Sequence, residues 1–295
     1  MAGRISRGKL LTSAALGALA GFAVYSLWWE PAMRLRTVRW QLYRPEWLGR
    51  KPIRIVALSD LHAGAPFVSL DRISRIIARA NALDPDVAVI LGDLVGGHPF
   101  IWGDTDIDEI AARLAGFQGR EGCFAIIGDE DVQGAERPGM PNSAEALLAA
   151  GIVVLDNKAV RIGSAEDGFW LAGLGEQTRR VSENARIMKR TLSYVTDDAP
   201  VVLLAHIPDI FRDLDIIDGR VGVQISGHTH GGQVRILGSG PLLLASDNDT
   251  YSWGRYDENG RTLIVSGGIG CSVLPMRVGC IPELTVVEIA GGDHF

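Results

Sequence analysis

The chain has 295 residues, 47% of them hydrophobic and 22% charged. That is enough apolar material for one large core or two small ones, and too little polarity for a disordered chain. Asp and Glu outnumber Lys and Arg by 35 to 29, a net charge of −6, which argues against broad electrostatic binding of nucleic acid while leaving room for a local basic rim around an anionic substrate.

From Leu10 to Trp29 there is no charged residue, and this length matches the ~20 residues an α-helix needs to cross hydrocarbon. The reading adopted is an uncleaved membrane anchor, with Trp28 and Trp29 at the interfacial belt. A cleavable leader, cut after Ala18-Leu19-Ala20, is the competing reading, and the apolar stretch continues well past that point. Arg4, Arg7 and Lys9 favour a cytoplasmic N-terminus, yet Arg34, Arg36, Arg39 and Arg44 follow on the other side. A short basic tail before the first apolar segment is the usual inside signal, so the domain is expected outside. Trp40 and Trp47 would alternatively keep the next stretch on the headgroup surface. The boundary is drawn near Arg50, with an anchor and juxtamembrane segment over residues 1–50 and a catalytic-sized domain over 51–295.

Beyond Lys51, short β-branched runs alternate with helical stretches, the pattern of a mainly parallel sheet covered by helices. Helices are predicted over Ser69 to Asn81, with Ser69 as N-cap, over Asn142 to Ala150, with Gly151 closing it, and over Ser182 to Val195. After His230 the texture turns to Gly-rich runs and β-type segments, Leu263 to Val265 and Leu284 to Ile289, read as a second sheet packed on the first. Cys123, Cys271 and Cys280 make no Cys-x-x-Cys spacing, and a Cys271 to Cys280 bridge would need an oxidising compartment.

Several apolar runs stop at a side chain that binds metals well. Ile53 to Leu58 leads to Asp60 and His62, Val87 to Leu91 to Gly92-Asp93, Val201 to Ala205 to His206, and Val221 to Ile225 to Ser226-Gly227-His228-Thr229-His230-Gly231-Gly232-Gln233. In parallel α/β architectures the carboxyl ends of strands face the ligand crevice, so these residues are expected to converge. Imidazole and carboxylate together suit Mn, Fe or Zn rather than Ca or a thiolate-loving ion. Six ligands exceed what one catalytic ion with an open position needs, so two divalent ions are implied.

Asp60-x-His62, Gly92-Asp93, the Gly128 motif, the lone His206 and Gly227-His228-x-His230 together resemble the calcineurin-like metallophosphoesterases. His228 to Gln233 and the tail from Leu274-Pro275-Met276-Arg277 to Pro282-Glu283 are similar to a membrane-anchored bacterial branch that includes UDP-2,3-diacylglucosamine pyrophosphatase-like phosphodiesterases of lipid A biosynthesis. The resemblance implies a four-layer α/β/β/α sandwich tethered by one N-terminal transmembrane helix. It implies that Asp60, His62 and His230 hold one ion, that Asp93 bridges both, and that His206 and His228 hold the second. An activated hydroxide would then attack phosphorus in a phosphoester or pyrophosphate, on a substrate that the branch makes lipid-linked. It places the protein in the bacterial cytoplasmic membrane as a single-pass chain.

One motif departs from the family. Gly128-Asp129-Glu130-Asp131 stands where the family has Gly-Asn-His-Asp or Gly-Asn-His-Glu. Asp129 replaces a metal-binding asparagine, and a carboxylate oxygen can ligate in its place. Glu130 stands where the family has the histidine that assists the phosphate oxygens, so Glu130 and Asp131 become the candidate catalytic carboxylates. Loss of one acid costs ~10²–10⁴ in rate, which keeps open the alternative of an impaired relative that binds a phosphorylated ligand or a partner without turnover. His98 is close enough in sequence to reach the crevice, although an exposed loop is its plainer reading, and His294 carries no functional reading. Arg277 is the candidate phosphate contact, with a surface arginine as the competing reading. Tyr251, Trp253 and Tyr256 are read as packing residues. Oligomeric state is left open.

Overall fold

Alternation along single strands sorts the apolar side chains into three layers. In Ile53–Leu58, Ile55 and Ala57 enter one core while Val56 and Leu58 enter another, the period-2 consequence of a pleated strand. The computed structural model describes residues 7–97, 99–101, 106–135, 142–175, 181–214, 219–235, 240–241 and 250–292. In chain order its strands are β1 Arg36–Tyr43, β2 Ile53–Leu58, β3 Val87–Ile90, β4 Cys123–Ala125, β5 Val153–Val154, β6 Lys158–Ile162, β7 Phe169–Gly173, β8 Val201–Leu204, β9 Val221–Ser226, β10 Gly254–Glu258, β11 Arg261–Val265 and β12 Glu283–Ala290.

Two six-stranded sheets result, ordered β1-β12-β2-β3-β4-β5 and β10-β11-β9-β8-β7-β6. β2 to β5 run parallel to one another, as do β7, β8, β9 and β11, and the antiparallel pairings are β12 with β2, β6 with β7 and β10 with β11. The helices are α1 Arg7–Val24, α2 Leu70–Asn81, α3 Ile107–Leu114, α4 Asp129–Ala135, α5 Ser143–Ala149 and α6 Val181–Leu192. Helices α2, α3 and α5 share one core with the outer face of the first sheet, and α6 shares another with the outer face of the second. Between the sheets lie Ile55, Val89, Leu171, Val202, Val223 and Ile264. This is the four-layer α/β/β/α sandwich that the resemblance implies, with a second sheet that starts at β6 rather than after His230.

The expected caps are in place. Ser69 Oγ accepts from Arg72 N at 3.3 Å and Asn142 Oδ1 from Ala144 N at 3.0 Å, each satisfying an amide that the first helical turn leaves open. Helix α6 ends at Leu192, three residues before the expected Val195.

Two expectations are corrected. The boundary near Arg50 falls too late, because β1 pairs along its whole length with β12 and Trp47 is buried between the sheets. Trp47 is therefore core rather than headgroup-bound, and Trp40 packs edge-on against Trp253 at 6.3 Å. The segment Leu284 to Ile289 likewise does not join the second sheet. It inserts as β12 between β1 and β2 of the first, where all its residues are buried.

The helix at the N-terminus is long and apolar enough to cross a membrane over Gly8–Met33. Its side chains stand exposed from Gly8 to Val24. Beyond that, Tyr25–Met33 continues in wider turns that include Pro31, a residue with no amide to return to the preceding turn. Ser26, Glu30, Pro31 and Ala32 are buried on this stretch. Arg277 N donates to Ser26 O at 3.0 Å, Cys280 N to Glu30 Oε1 at 3.0 Å and Arg72 to Pro31 O at 2.6 Å.

Candidate metal centre

Five loops at the carboxyl ends of β2, β3, β4, β8 and β9 deliver Asp60, His62, Asp93, Asp129, His206, His228 and His230 to one crevice. The backbone turns sharply to do so. Asp60, His62, Asp93, His228 and His230 have φ between 38° and 69°, the left-handed region that side chains other than glycine adopt at a cost and that concentrates at functional sites. Gly92, at φ 94°, lets two of these loops touch: a Cβ there would run into the Gly128 backbone, and one on Gly128 would run into the Asp93 carboxylate.

The donor atoms form three overlapping groups. Asp60, His62 and His230 make one, Asp93, Asp129, His206 and His228 another, and His62 and Asp93, with Glu130, a third that joins them. Asp93 Oδ2 lies 3.2 Å from His206 Nε2 and 3.7 Å from His62 Nε2. Asp129 Oδ1 lies 3.1 Å from His206 Nε2 and 2.9 Å from His228 Nδ1, while His62 Nε2 and His230 Nε2 stand 2.9 Å apart.

Chemistry of the donor set supports a cation. Asp129 Oδ1 and His206 Nε2 are buried and, despite their closeness, close no hydrogen bond. Buried polar atoms are rarely left so. Imidazole nitrogens and carboxylate oxygens that converge in this way fit a divalent transition ion.

Surrounding groups aim the ligands. His206 Nδ1 meets Leu91 O at 2.6 Å, which turns Nε2 toward the crevice, the usual outer support of a metal-binding imidazole. Ser59 Oγ donates to Asp60 Oδ2 at 2.5 Å, and His228 N donates to Oδ1 at 2.9 Å. Glu130 N donates to Asp93 Oδ1 at 3.1 Å.

Charge is unevenly distributed among the ligands. Burial opposes protonation of His62, but the adjacent Glu130 carboxylate and the charge of Asp93 lift it to about 9. His206 is raised well above its usual value against the same burial, chiefly by Asp93 and Asp129. His230 is held well below by burial, His62 and Arg277. Burial raises the Asp60 carboxyl. For Asp93 and Asp129 burial acts the same way, but His206 outweighs it at Asp93, and His206 with His228 at Asp129, so both stay below the carboxylate range.

Seven expected ligands are thus brought together, and Glu130 stands on their rim. Its Oε1 accepts from Ser272 Oγ at 3.0 Å and its Oε2 lies 3.3 Å from His62 Nδ1. Asp131 does not face the crevice and is corrected: it is buried, accepts from the amides of Asp93, Leu94 and Gly128 and from Ser143 Oγ, and so ties the β3 loop to the β4 loop. Arg277 is corrected too. It is wholly buried behind the crevice, and its donors go to the carbonyls of Gly267, Gly270 and Cys280 and to His230 Nδ1. None is left for a phosphate.

Tyr251 and Tyr256 pack edge-on at 5.1 Å, and Trp253 donates to Glu283, the packing role expected of them. Cys271 and Cys280 are free thiols. His98 and His294 lie outside the described residues.

Sequence reasoning missed Ser59, Ser272 and Gln233. Gln233 donates to Leu274 O and Met276 O and accepts from Ser272 N, joining the histidine motif to the 272–277 loop. A carboxamide inside a glycine-rich ligand motif was the available signal. Ser272 had none.

A family model described as calcineurin-like phosphoesterase matches residues 53–232. Among curated proteins the chain is similar to a "Transmembrane protein with metallophosphoesterase domain" of Danio rerio, 30% identical over 80% of this chain and 53% of that protein. An "Uncharacterized metallophosphoesterase" of Aquifex aeolicus is 29% identical over 81% of this chain and 85% of its own length. The "Phosphodiesterase YaeI" of Escherichia coli is 28% identical over 97% of this chain and 99% of its own. The chain spans about half the length of the Danio rerio relative and of its Bos taurus counterpart.

Proposed function

We propose, since the chain belongs to the calcineurin-like phosphoesterase family, that it hydrolyses a phosphodiester or pyrophosphate bond. The observation that carries this reading is Asp93, whose Oδ2 lies within 3.7 Å of a histidine of each ligand group. Asp60, His62 and His230 would hold one divalent ion, Asp129, His206 and His228 a second, and Asp93 both. Mn, Fe or Zn suits the donor set. Such a pair supplies Lewis-acid polarisation of a phosphoryl oxygen and a nucleophile at neutral pH.

The protein's own groups do the remaining work. Leu91 O and Ser59 Oγ orient His206 and Asp60. Glu130, with its side chain 32% exposed at the rim, would hold or release a proton at the leaving oxygen. The helix Gly8–Met33 acts as a single-pass anchor, the domain lies outside the bacterial cytoplasmic membrane, and the similarity to UDP-2,3-diacylglucosamine pyrophosphatase-like enzymes favours a lipid-linked nucleotide-sugar as substrate.

Glu130 also supports a second reading. A carboxylate on the rim repels an anionic substrate that a histidine would attract, so a metal-loaded protein that binds a phosphorylated ligand without turnover is the alternative. Hydrolysis of bis-p-nitrophenyl phosphate and of a UDP-sugar lipid by the full chain in detergent, with metal content measured on the same sample and Asp93→Ala as control, separates them. Turnover lost in the control supports the enzyme. Bound metal without turnover favours the binding protein, and no bound metal overturns both.

A further inference from the structure

One loop connects the metal centre to the anchor. On one side Ser272 Oγ donates to Glu130 and Arg277 donates to His230 Nδ1. On the other, Arg277 N donates to Ser26 O, and Cys280 N, three residues on, donates to the Glu30 carboxylate. The mouth of the site and the end of the apolar helix therefore share a backbone.

The helix sets where that backbone lies. The α-helical part, Gly8–Val24, extends roughly 26 Å at 1.5 Å per residue, and the wider turns of Tyr25–Met33 carry the helix past the ~30 Å of hydrocarbon. In a bilayer its last turns would accordingly stand among the headgroups. They are two-faced: Ser26 and Glu30 are buried against the domain, while Leu27, Trp28, Trp29 and Met33 are between 44% and 59% exposed. Trp28 and Trp29 seek that same interfacial level. Leu274 is three residues from Arg277, so it lies within ~11 Å of the Ser26 contact along even a fully extended chain.

The loop also carries an exposed apolar tip. Val273 is 72% exposed and Leu274 37%. Val273 has φ 47°, a strained conformation for a β-branched residue. Gln233 donates to Leu274 O and Met276 O and accepts from Ser272 N, and these three hydrogen bonds hold the loop in this shape. Strain and exposure together are spent on a side chain that water does not favour.

We propose that the loop Ser272–Arg277 rests on the bilayer, with Val273 and Leu274 immersed at headgroup level, so that the metal centre opens onto the membrane surface. This rests on the reading of Gly8–Met33 as a membrane anchor. It makes the substrate a phosphoester whose reacting phosphorus stays at the interface while its apolar part remains in the lipid.

The test uses the full chain, reconstituted in phosphatidylcholine vesicles, with an environment-sensitive fluorophore on Val273→Cys and, as control, on Tyr194→Cys beyond α6 on the far layer. Expected is at least twofold quenching of the 273 probe by brominated lipid with little quenching by aqueous iodide, and the reverse at 194. Iodide quenching at 273 equal to that at 194, in protein that alkaline carbonate does not extract, would sink the docking while leaving the anchor intact. Extraction by carbonate would sink the anchor reading and the docking with it. Neither readout depends on turnover, so failure of the phosphoesterase reading is scored separately.

Discussion

Arg277 and His230 meet at 3.2 Å, guanidinium Nη2 donating to imidazole Nδ1, in a part of the protein where Arg277 is wholly buried and its other donations go to three backbone carbonyls. A permanent positive charge at that nitrogen keeps a second proton off His230, whose pKa is held well below the usual value by burial, His62 and Arg277. The ring is thereby kept neutral and available to a cation. Arg277 is a positioning residue.

Arg277→Lys tests this. A lysine keeps the charge but cannot reproduce the planar fork, so metal affinity is expected to fall ~10–100-fold, the usual effect of losing an outer partner of a ligand. Calorimetric metal titration would measure it. Unchanged affinity would show that His230 is positioned by other contacts.

Glu130→His is expected to raise turnover of a soluble phosphodiester by ~10²-fold or more, the lower bound for a well-placed acid or base. The change leaves Asp60, His62, Asp93, Asp129, His206, His228 and His230 in place. Steady-state kinetics at fixed metal loading would check it, and no gain would place Glu130 outside the chemistry.

Asp131→Ala should act on stability. It removes the acceptor for three buried amides, those of Asp93, Leu94 and Gly128, and each unsatisfied group costs ~1–3 kcal/mol. Denaturant unfolding is expected to show a loss of at least ~2 kcal/mol. Full stability with lost turnover would instead return Asp131 to a catalytic role.

Alkaline pH should weaken the fold through its thiols. Burial pushes Cys123 up to about 12 and also raises Cys271 and Cys280. A raised folded value favours the neutral thiol in the folded protein, so this contribution is complete below the unfolded value near 9 and is lost as pH rises from there toward 12. Urea midpoints should therefore fall between pH 9 and 11, and the native thiols should react slowly with an aromatic disulfide at pH 8. Fast reaction of all three in folded protein would contradict the burial.

Asp60, His62, Asp93, His206, His228 and His230 were legible because each follows directly on an apolar run, and strand polarity in a parallel sheet sends every such residue to the same edge. Helices α2 and α5 were legible from their caps and periodicity, both set by neighbours within a few positions. Arg277 and Asp131 were misread for the opposite reason. A buried arginine and a surface arginine look alike in sequence, and the difference lies in Gly267, Gly270 and His230 closing around Arg277 in the folded chain. Asp131 sits in the same acidic triplet as Asp129, and only the direction of the first turn of α4 sends one to the crevice and the other to the amides behind it.

The layered α/β pattern, the apolar N-terminal helix and the candidate metal-binding side chains at the strand ends were readable from the chain alone, because each is a local matter of periodicity, length or residue type. Folding was needed to show that β12 returns between β1 and β2, that β1 belongs to the domain, and that the loop 272–277 ties the centre to the end of the helix. Those relationships join residues about 250 apart, as in the Arg277–Ser26 and Cys280–Glu30 contacts, and they form once burial of the three cores has brought distant segments into register.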